Sequence, residues 1–142
     1  MFAGSSKLTI DDKGRLAIPA RLRAQLVEDY GKQVAVTLGP ECIEIYPAEV
    51  FRRMADAIQK IPDRTKRVTM QRLFVGHAVL VDLDAQGRIL IPPMLREAKQ
   101  LDSEVVLAGV NDHFELWPEA QWATSMQAAQ AVYADAFAAL SF

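Results

Sequence analysis

The chain has 142 residues, 51% of them hydrophobic and 24% charged, enough for one ordinary domain or for two small related halves with a shared core. No apolar run approaches the roughly 20 residues that cross a bilayer, the segment from Met1 to Lys7 holds no signal-peptide core, and the single cysteine, Cys42, excludes an internal disulfide and any multi-cysteine zinc site, so the cytoplasm is the expected compartment. The net charge of −2 argues against a nucleic-acid partner, but its distribution argues otherwise: residues 1 to 96 hold 15 of the 16 Lys and Arg against 11 of the 18 Asp and Glu, leaving +4, while residues 97 to 142 carry −6.

In chain order, Leu8 and Ile10 alternate with Lys7 and Thr9, and Leu16 and Ile18 alternate with Arg15 and Ala17, the period-2 pattern of strands with one buried face. Between these runs Asp11-Asp12-Lys13-Gly14 reads as a tight turn. Gly14 supplies the positive φ such a turn needs, and Asp11 can bond the turn amides or Arg15 across the bend. Arg15 then leaves the turn on the face opposite the core. Pro19 opens a short helix with Leu22 and Leu26 inward; Val34 to Leu38 and Cys42 to Tyr46 follow as strands, and Pro47 stops the last.

The same order returns from Leu80 to Trp122: two strands around Asp84-Ala85-Gln86-Gly87-Arg88, a helix opened by Pro92 and Pro93 with Leu95 inward, then Val105 to Leu107 and Phe114 to Pro118. One offset of 73 residues relates Asp11 to Asp84, Arg15 to Arg88, Pro19 to Pro92 and Arg23 to Arg96, and an offset of 71 relates Tyr46-Pro47 to Trp117-Pro118. The unit is ββαββ, twice. One unit of four short strands buries little core alone; two packed face to face can close a small barrel, so the halves are expected to be pseudo-twofold mates in an α+β, mainly β, fold.

Between the units lies a helical connector divided by Pro62, with Val50, Met54, Ile58 and Ile61 repeating at three and four in its first part and Met70, Leu73 and Phe74 in its second. It carries Arg52, Arg53, Lys60, Arg64, Lys66, Arg67 and Arg72 against Asp56 and Asp63, a set that suits phosphate contact or an ordinary solvated face. After Pro118 and Glu119, the spacing of Trp122, Met126, Ala129, Tyr133, Phe137 and Leu140 predicts an amphipathic helix whose stripe packs on the body or on a neighbouring subunit. The expected organisation is therefore residues 5–51 as the first unit, 52–76 as connector, 77–120 as the second unit and 121–142 as a C-terminal helix.

Enzyme signatures are absent: no phosphate loop ending in Lys-Ser or Lys-Thr, no GxGxxG, no HExxH and no GxSxG. His77 and His113 lack a second ligand at metal spacing and read as structural; Cys42, in Cys42-Ile43-Glu44-Ile45, reads as a strand residue. No catalytic residue, metal, cofactor or small-molecule substrate is expected. The duplicated Asp-x-x-Gly-Arg has parts that serve one task. Guanidinium is a planar fork able to donate two hydrogen bonds to O6 and N7 of guanine, or to a phosphate, and an aspartate four residues earlier can fix its angle. The plainer alternative is that Asp11 and Arg15 only staple a hairpin. Duplication, with Lys7, Lys13, Arg21 and Arg23 around the first copy, favours the double-stranded DNA partner.

These residues resemble the MraZ family of bacterial transcriptional regulators, built from two SpoVT-AbrB-like units. The likeness covers nearly the whole chain: Met1-Phe2-x-Gly4, Leu16-x-Ile18-Pro19 after Asp11-x-x-x-Arg15, Tyr46-Pro47, Gln71-Arg72-Leu73-x-x-Gly76-His77-Ala78, Asp84-x-x-x-Arg88, and Phe114-Glu115-Leu116-Trp117. The resemblance implies a swapped-hairpin barrel, subunits in a ring-shaped homo-oligomer, and a nucleoid-associated repressor that binds direct repeats in the promoter of its own division and cell-wall operon. Carried over, Arg15 and Arg88 are the DNA readers and Asp11 and Asp84 position them; Lys13 and Arg21 are added as DNA-binding candidates, and Gly14 and Gly87 as turn formers. The alternatives are an AbrB-type antitoxin or toxin-binding module, which would carry one DNA-binding unit and a disordered tail, and a purely structural oligomer.

Overall fold

The computed structural model describes residues 1–141. In chain order its elements are β1 (Phe2–Thr9), β2 (Arg15–Ala17), α1 (Ala20–Asp29), β3 (Gln33–Leu38), β4 (Ile43–Pro47), α2 (Ala48–Gln59), α3 (Arg64–Met70) with a π-helical turn at Gln71–Val75, β5 (Val79–Asp82), β6 (Arg88–Leu90), α4 (Pro93–Ala98), β7 (Glu104–Asn111), β8 (Phe114–Pro118) and α5 (Glu119–Ala138). The ββαββ order appears twice, as the period-2 runs and the helix-opening prolines predict.

The halves are interleaved. A six-stranded antiparallel sheet runs β1-β7-β8-β4-β3-β5, and β2 pairs with β6 in a separate two-stranded ribbon. All eight residues of β1 pair with β7 of the second half, from Phe2 opposite Asn111 to Thr9 opposite Glu104, and β5 returns the exchange by pairing with β3 of the first. The centre is β4 against β8, with Glu44 opposite Glu115. The turn at Asp11 therefore does not close a hairpin: the strands it joins find their partners in the other half. Alternation of apolar residues is satisfied either way, because it specifies the buried face and not the neighbour.

One core serves both halves. Leu16, Ile18, Leu22, Leu26, Val34, Val36, Ile43 and Ile45 pack with Ile89, Ile91, Leu95, Val105, Leu107, Phe114 and Leu116, and Phe2 stacks on Phe114 at 4.3 Å. Each large apolar side chain buried is worth roughly 1.5–3 kcal/mol, and both halves contribute theirs to the same cluster. On the opposite side of the sheet, Val50, Phe51 and Ile58 of α2 pack with Phe74 against Ala35 and Tyr46, and Met54, Ile61 and Met70 are partly buried there. Pro62 does divide the connector, and Asp63 caps α3 by accepting from the Lys66 amide at 2.8 Å.

Two details differ from expectation, and a third narrows an alternative left open for the C-terminal helix. The connector helix begins at Ala48, straight after Pro47, which ends β4 and serves as the N-cap with φ −51° and an extended ψ of 141°. Leu73, expected inward, is 52% exposed: the wider π turn shifts the phase of the face, so that Phe74 is buried and Met70 half-buried while Leu73 turns outward. Finally, the body receives only the first turns of α5. Trp122 meets Trp117 edge-on at 5.9 Å and Met126 is half-buried, whereas Val132, Tyr133, Phe137 and Leu140 remain exposed. Among the described residues no helix is long and apolar enough to cross a membrane.

Candidate nucleic-acid interface

The two Asp-x-x-Gly-Arg loops have the same bonding. In the first, Asp11 Oδ1 accepts the amides of Lys13 at 3.0 Å and Arg15 at 2.9 Å, and Oδ2 accepts Arg15 Nε at 2.8 Å. In the second, Asp84 Oδ1 accepts the amides of Gln86 at 2.9 Å and Arg88 at 2.8 Å, and Oδ2 accepts Arg88 Nε at 2.8 Å. Each turn closes through its own backbone, Gly14 N to Asp11 O and Gly87 N to Asp84 O. Gly14 has φ +84° and Gly87 φ +76°, the left-handed conformation expected of them. The aspartate thus does two jobs at once, holding the bend and gripping the guanidinium by its Nε edge. The Nη1/Nη2 fork is left at the far end, the part that can donate in parallel to a phosphate or a guanine edge. Gln86, which stands where the first loop has Lys13, accepts from Arg88 Nη2 at 3.3 Å and steadies that fork further.

The electrostatics follow from these bonds. Both carboxyls titrate below the ordinary aspartate value of 3.8, first because the amide four residues on (Arg15 or Arg88) donates to them, then because the guanidinium does. The pairs are one-quarter to one-third exposed, 32% and 34% for Arg15 and Asp11, 28% and 35% for Arg88 and Asp84, so water screens them and their value is orientation more than stability.

The ribbon sets the two loops relative to each other. In β2–β6, Arg15 lies opposite Leu90, Leu16 opposite Ile89 and Ala17 opposite Arg88. Leu16 and Ile89 point into the core, which leaves Arg15, Ala17, Arg88 and Leu90 on the outward face. Two residues of rise and one strand spacing put the Cα atoms of Arg15 and Arg88 about 8 Å apart. The arginines that the repeat relates are therefore neighbours on a single surface.

Other basic residues divide. Lys13 is exposed at the tip of the first loop. Arg21 is exposed on α1, donating to Ala3 O at 3.2 Å. Arg23, expected beside the first loop, lies instead against the second: its guanidinium covers Gly87 and donates to Ile18 O at 3.3 Å. Its repeat mate Arg96 covers Gly14 and donates to Ile91 O at 3.1 Å. Arg96 was missed by motif reading because 82 residues separate it from the glycine it covers; the 73-residue offset from Arg23 was the available signal. Lys7 is 3.6 Å from Glu119, away from either turn in bonding. In the connector, Arg67 donates to Ile61 O at 2.8 Å and Arg52 to Gln33 at 3.3 Å, so part of that basic set holds structure.

The remaining reactive types are tied into the fold. His77 Nδ1 donates to Arg72 O at 3.0 Å; His113 bonds Asp112 at 2.9 Å and stacks on Tyr46 at 4.5 Å. Cys42 sits just ahead of β4, 1% exposed, and burial pushes its thiol up, away from thiolate. Cys42, Glu44 and Glu115 place one ligand atom each within 4.8 Å of one another, but Glu44 accepts the Tyr46 hydroxyl and Glu115 the Trp117 indole.

Two interleaved ββαββ units around one core, each presenting an aspartate-held arginine, define a duplicated AbrB-like protein. The profile of the family described as "MraZ protein, putative antitoxin-like" matches twice, over residues 1–73 and 74–140. The chain is 42% identical over 124 residues, 86% of its length and 82% of the relative's, to the transcriptional regulator MraZ of Methylococcus capsulatus, and 42% identical over 127 residues (88% and 85%) to that of Thioalkalivibrio sulfidiphilus. With the MraZ of an Acidovorax species it shares 37% identity over 144 aligned positions and the full length of both chains. The chain belongs to the MraZ family of transcriptional regulators.

Proposed function

We propose that the protein is a sequence-specific DNA-binding repressor, acting at the nucleoid in the cytoplasm, that occupies direct repeats in the promoter of its own division and cell-wall operon. It has no catalytic role. The observation that carries this reading is the outward face of the β2–β6 ribbon, where Arg15 and Arg88 stand side by side, each gripped at Nε by its aspartate. Their separation of about 8 Å corresponds to between two and three base-pair steps of 3.4 Å, and a two-stranded ribbon fits a major groove about 12 Å wide. Lys13 and Arg21 would add phosphate contacts at the rim.

One ribbon makes few contacts, and a bidentate arginine–guanine pair discriminates by only about 1–3 kcal/mol. A ring-shaped homo-oligomer repeats the ribbon over successive repeats and gains avidity through effective concentration. It also reconciles a net charge of −2 with a polyanionic partner, since the basic faces gather on one side. Footprinting on the DNA upstream of the protein's own gene tests the proposal: protection should recur at the spacing of the direct repeats. Protection without periodicity, or none, overturns it.

A second reading, an antitoxin-like module, has one observation in its favour, the apolar side chains that α5 leaves bare. It predicts tight capture of a toxin by α5 with no change in promoter occupancy.

A further inference from the structure

The loops are braced across the halves. Arg23 belongs to α1 of the first half and lies over Gly87 of the second; a Cβ built there would come 2.1 Å from its Nη1 and 2.7 Å from its Cζ. Arg96 belongs to α4 of the second half and lies over Gly14 of the first, 2.8 Å from Nη2 and 3.0 Å from Cζ on the same measure. A Cβ at either position would have to displace the guanidinium that lies there. The backbone continues the crossing: Ile18 N donates to Gly87 O at 3.0 Å while Ile18 O accepts from Arg23, and Ile91 N donates to Gly14 O at 2.8 Å while Ile91 O accepts from Arg96. Each Asp-x-x-Gly-Arg turn is thus held by a strand end and a helix arginine that lie on the far side of the connector in sequence.

We propose that Arg23 and Arg96 are crossed positioning residues: Arg23 sets the angle of Arg88, and Arg96 sets the angle of Arg15. The covered glycine is the residue immediately before the reading arginine, so the brace acts one peptide away from the side chain it orients. Because the contact is a flat guanidinium on a bare backbone, charge alone does not reproduce it, and lysine is not an equivalent. The same half-buried placement keeps the guanidinium beside the loop, where its charge adds to the local field without its being the group that reads the duplex. The loop-bracing role stands on the free protein; its consequence for DNA rests on the function proposed above.

The test is amide hydrogen exchange in the free full-length protein, followed by retention of a direct-repeat duplex. The reporter amides are Lys13 and Arg15, bonded to Asp11, and Gln86 and Arg88, bonded to Asp84. Arg23→Gln is expected to speed exchange at Gln86 and Arg88 by about tenfold and to leave Lys13 and Arg15 unchanged, and Arg96→Gln to do the reverse. Arg23→Lys and Arg96→Lys should loosen the same loops and weaken duplex retention nearly as much as glutamine does. Loosening of the loop in the variant's own half overturns the crossed assignment, and unchanged exchange with retention restored by lysine overturns the brace and makes both residues ordinary phosphate contacts. A crossed exchange pattern in a protein that retains no duplex keeps the brace and contradicts the DNA-binding reading instead.

Discussion

Leu16 and Ile89 stand directly opposite each other at the middle of the β2–β6 ribbon, 0% and 1% exposed, one from each half of the chain. They hold the inner face of the ribbon whose outer face carries the two arginines. Leu16→Ala and Ile89→Ala should each cost about 2–5 kcal/mol, and the double variant should depart from additivity because the residues touch. Urea unfolding of either variant should remain a single transition. A segment ending at residue 73 should be unfolded by circular dichroism, since its β1 and β2 lose their partners.

Gly14 and Gly87 combine positive φ with a guanidinium over the Cα. Replacing either by alanine should destabilise by about 1–3 kcal/mol, and Gly87→Ala should be the worse, because the nearest Arg23 atom is 2.1 Å from the new Cβ against 2.8 Å for Arg96 at Gly14. Denaturant midpoints decide the order. Equal effects would mean the arginines swing aside freely.

Asp11 and Asp84 have their carboxyls below 3.8 in the fold because amides and guanidinium favour the charged form. A depressed value means that the loops' contribution is fully present above the ordinary value and is lost as pH falls through the folded one. Carboxyl titration followed by NMR should therefore give midpoints under 3.8 for both, with the Arg15 and Arg88 Nε resonances moving in step. Asp11→Asn and Asp84→Asn should keep the turn amides bonded yet release the guanidinium, weakening DNA retention with little change in stability. A large stability loss would assign the pairs to the fold instead.

Local pattern was legible wherever one residue type meets one demand. Pro19, Pro92 and Pro118 marked helix starts, Gly14 and Gly87 marked left-handed turns, and Leu16 and Ile89 marked the buried side of strands that present Arg15 and Arg88 outward. Pairing was not legible. Nothing in Phe2 to Thr9 says that β1 lies on β7 of the other half, since exchange between halves preserves every alternation. For the same reason Arg23 was placed with the loop nearest in sequence and Arg96 with none. Leu73 failed for a different cause, a π turn that no hydrophobic period anticipates.

Beyond Met126, α5 touches little of the body, and Val132, Tyr133, Phe137 and Leu140 are 60–65% exposed. A chain ending at Gln127 should keep its unfolding free energy within about 0.5 kcal/mol. If the stripe joins subunits of a homo-oligomer, its particle mass by light scattering should fall. An unchanged mass would remove α5 from the assembly.

The most direct measurement is gel retardation of a duplex carrying the direct repeats, titrated with the parent protein and with Arg15→Ala, Arg88→Ala and Lys60→Ala at several salt concentrations. Lys60 is an exposed charge at the end of α2 and serves as the control. Either arginine variant should lose at least tenfold in affinity, Lys60→Ala should lose little, and the salt slope should fall by roughly 0.9 for each phosphate contact removed. Equal losses from all three, or full retention by either arginine variant, would contradict the DNA-reading role of the ribbon.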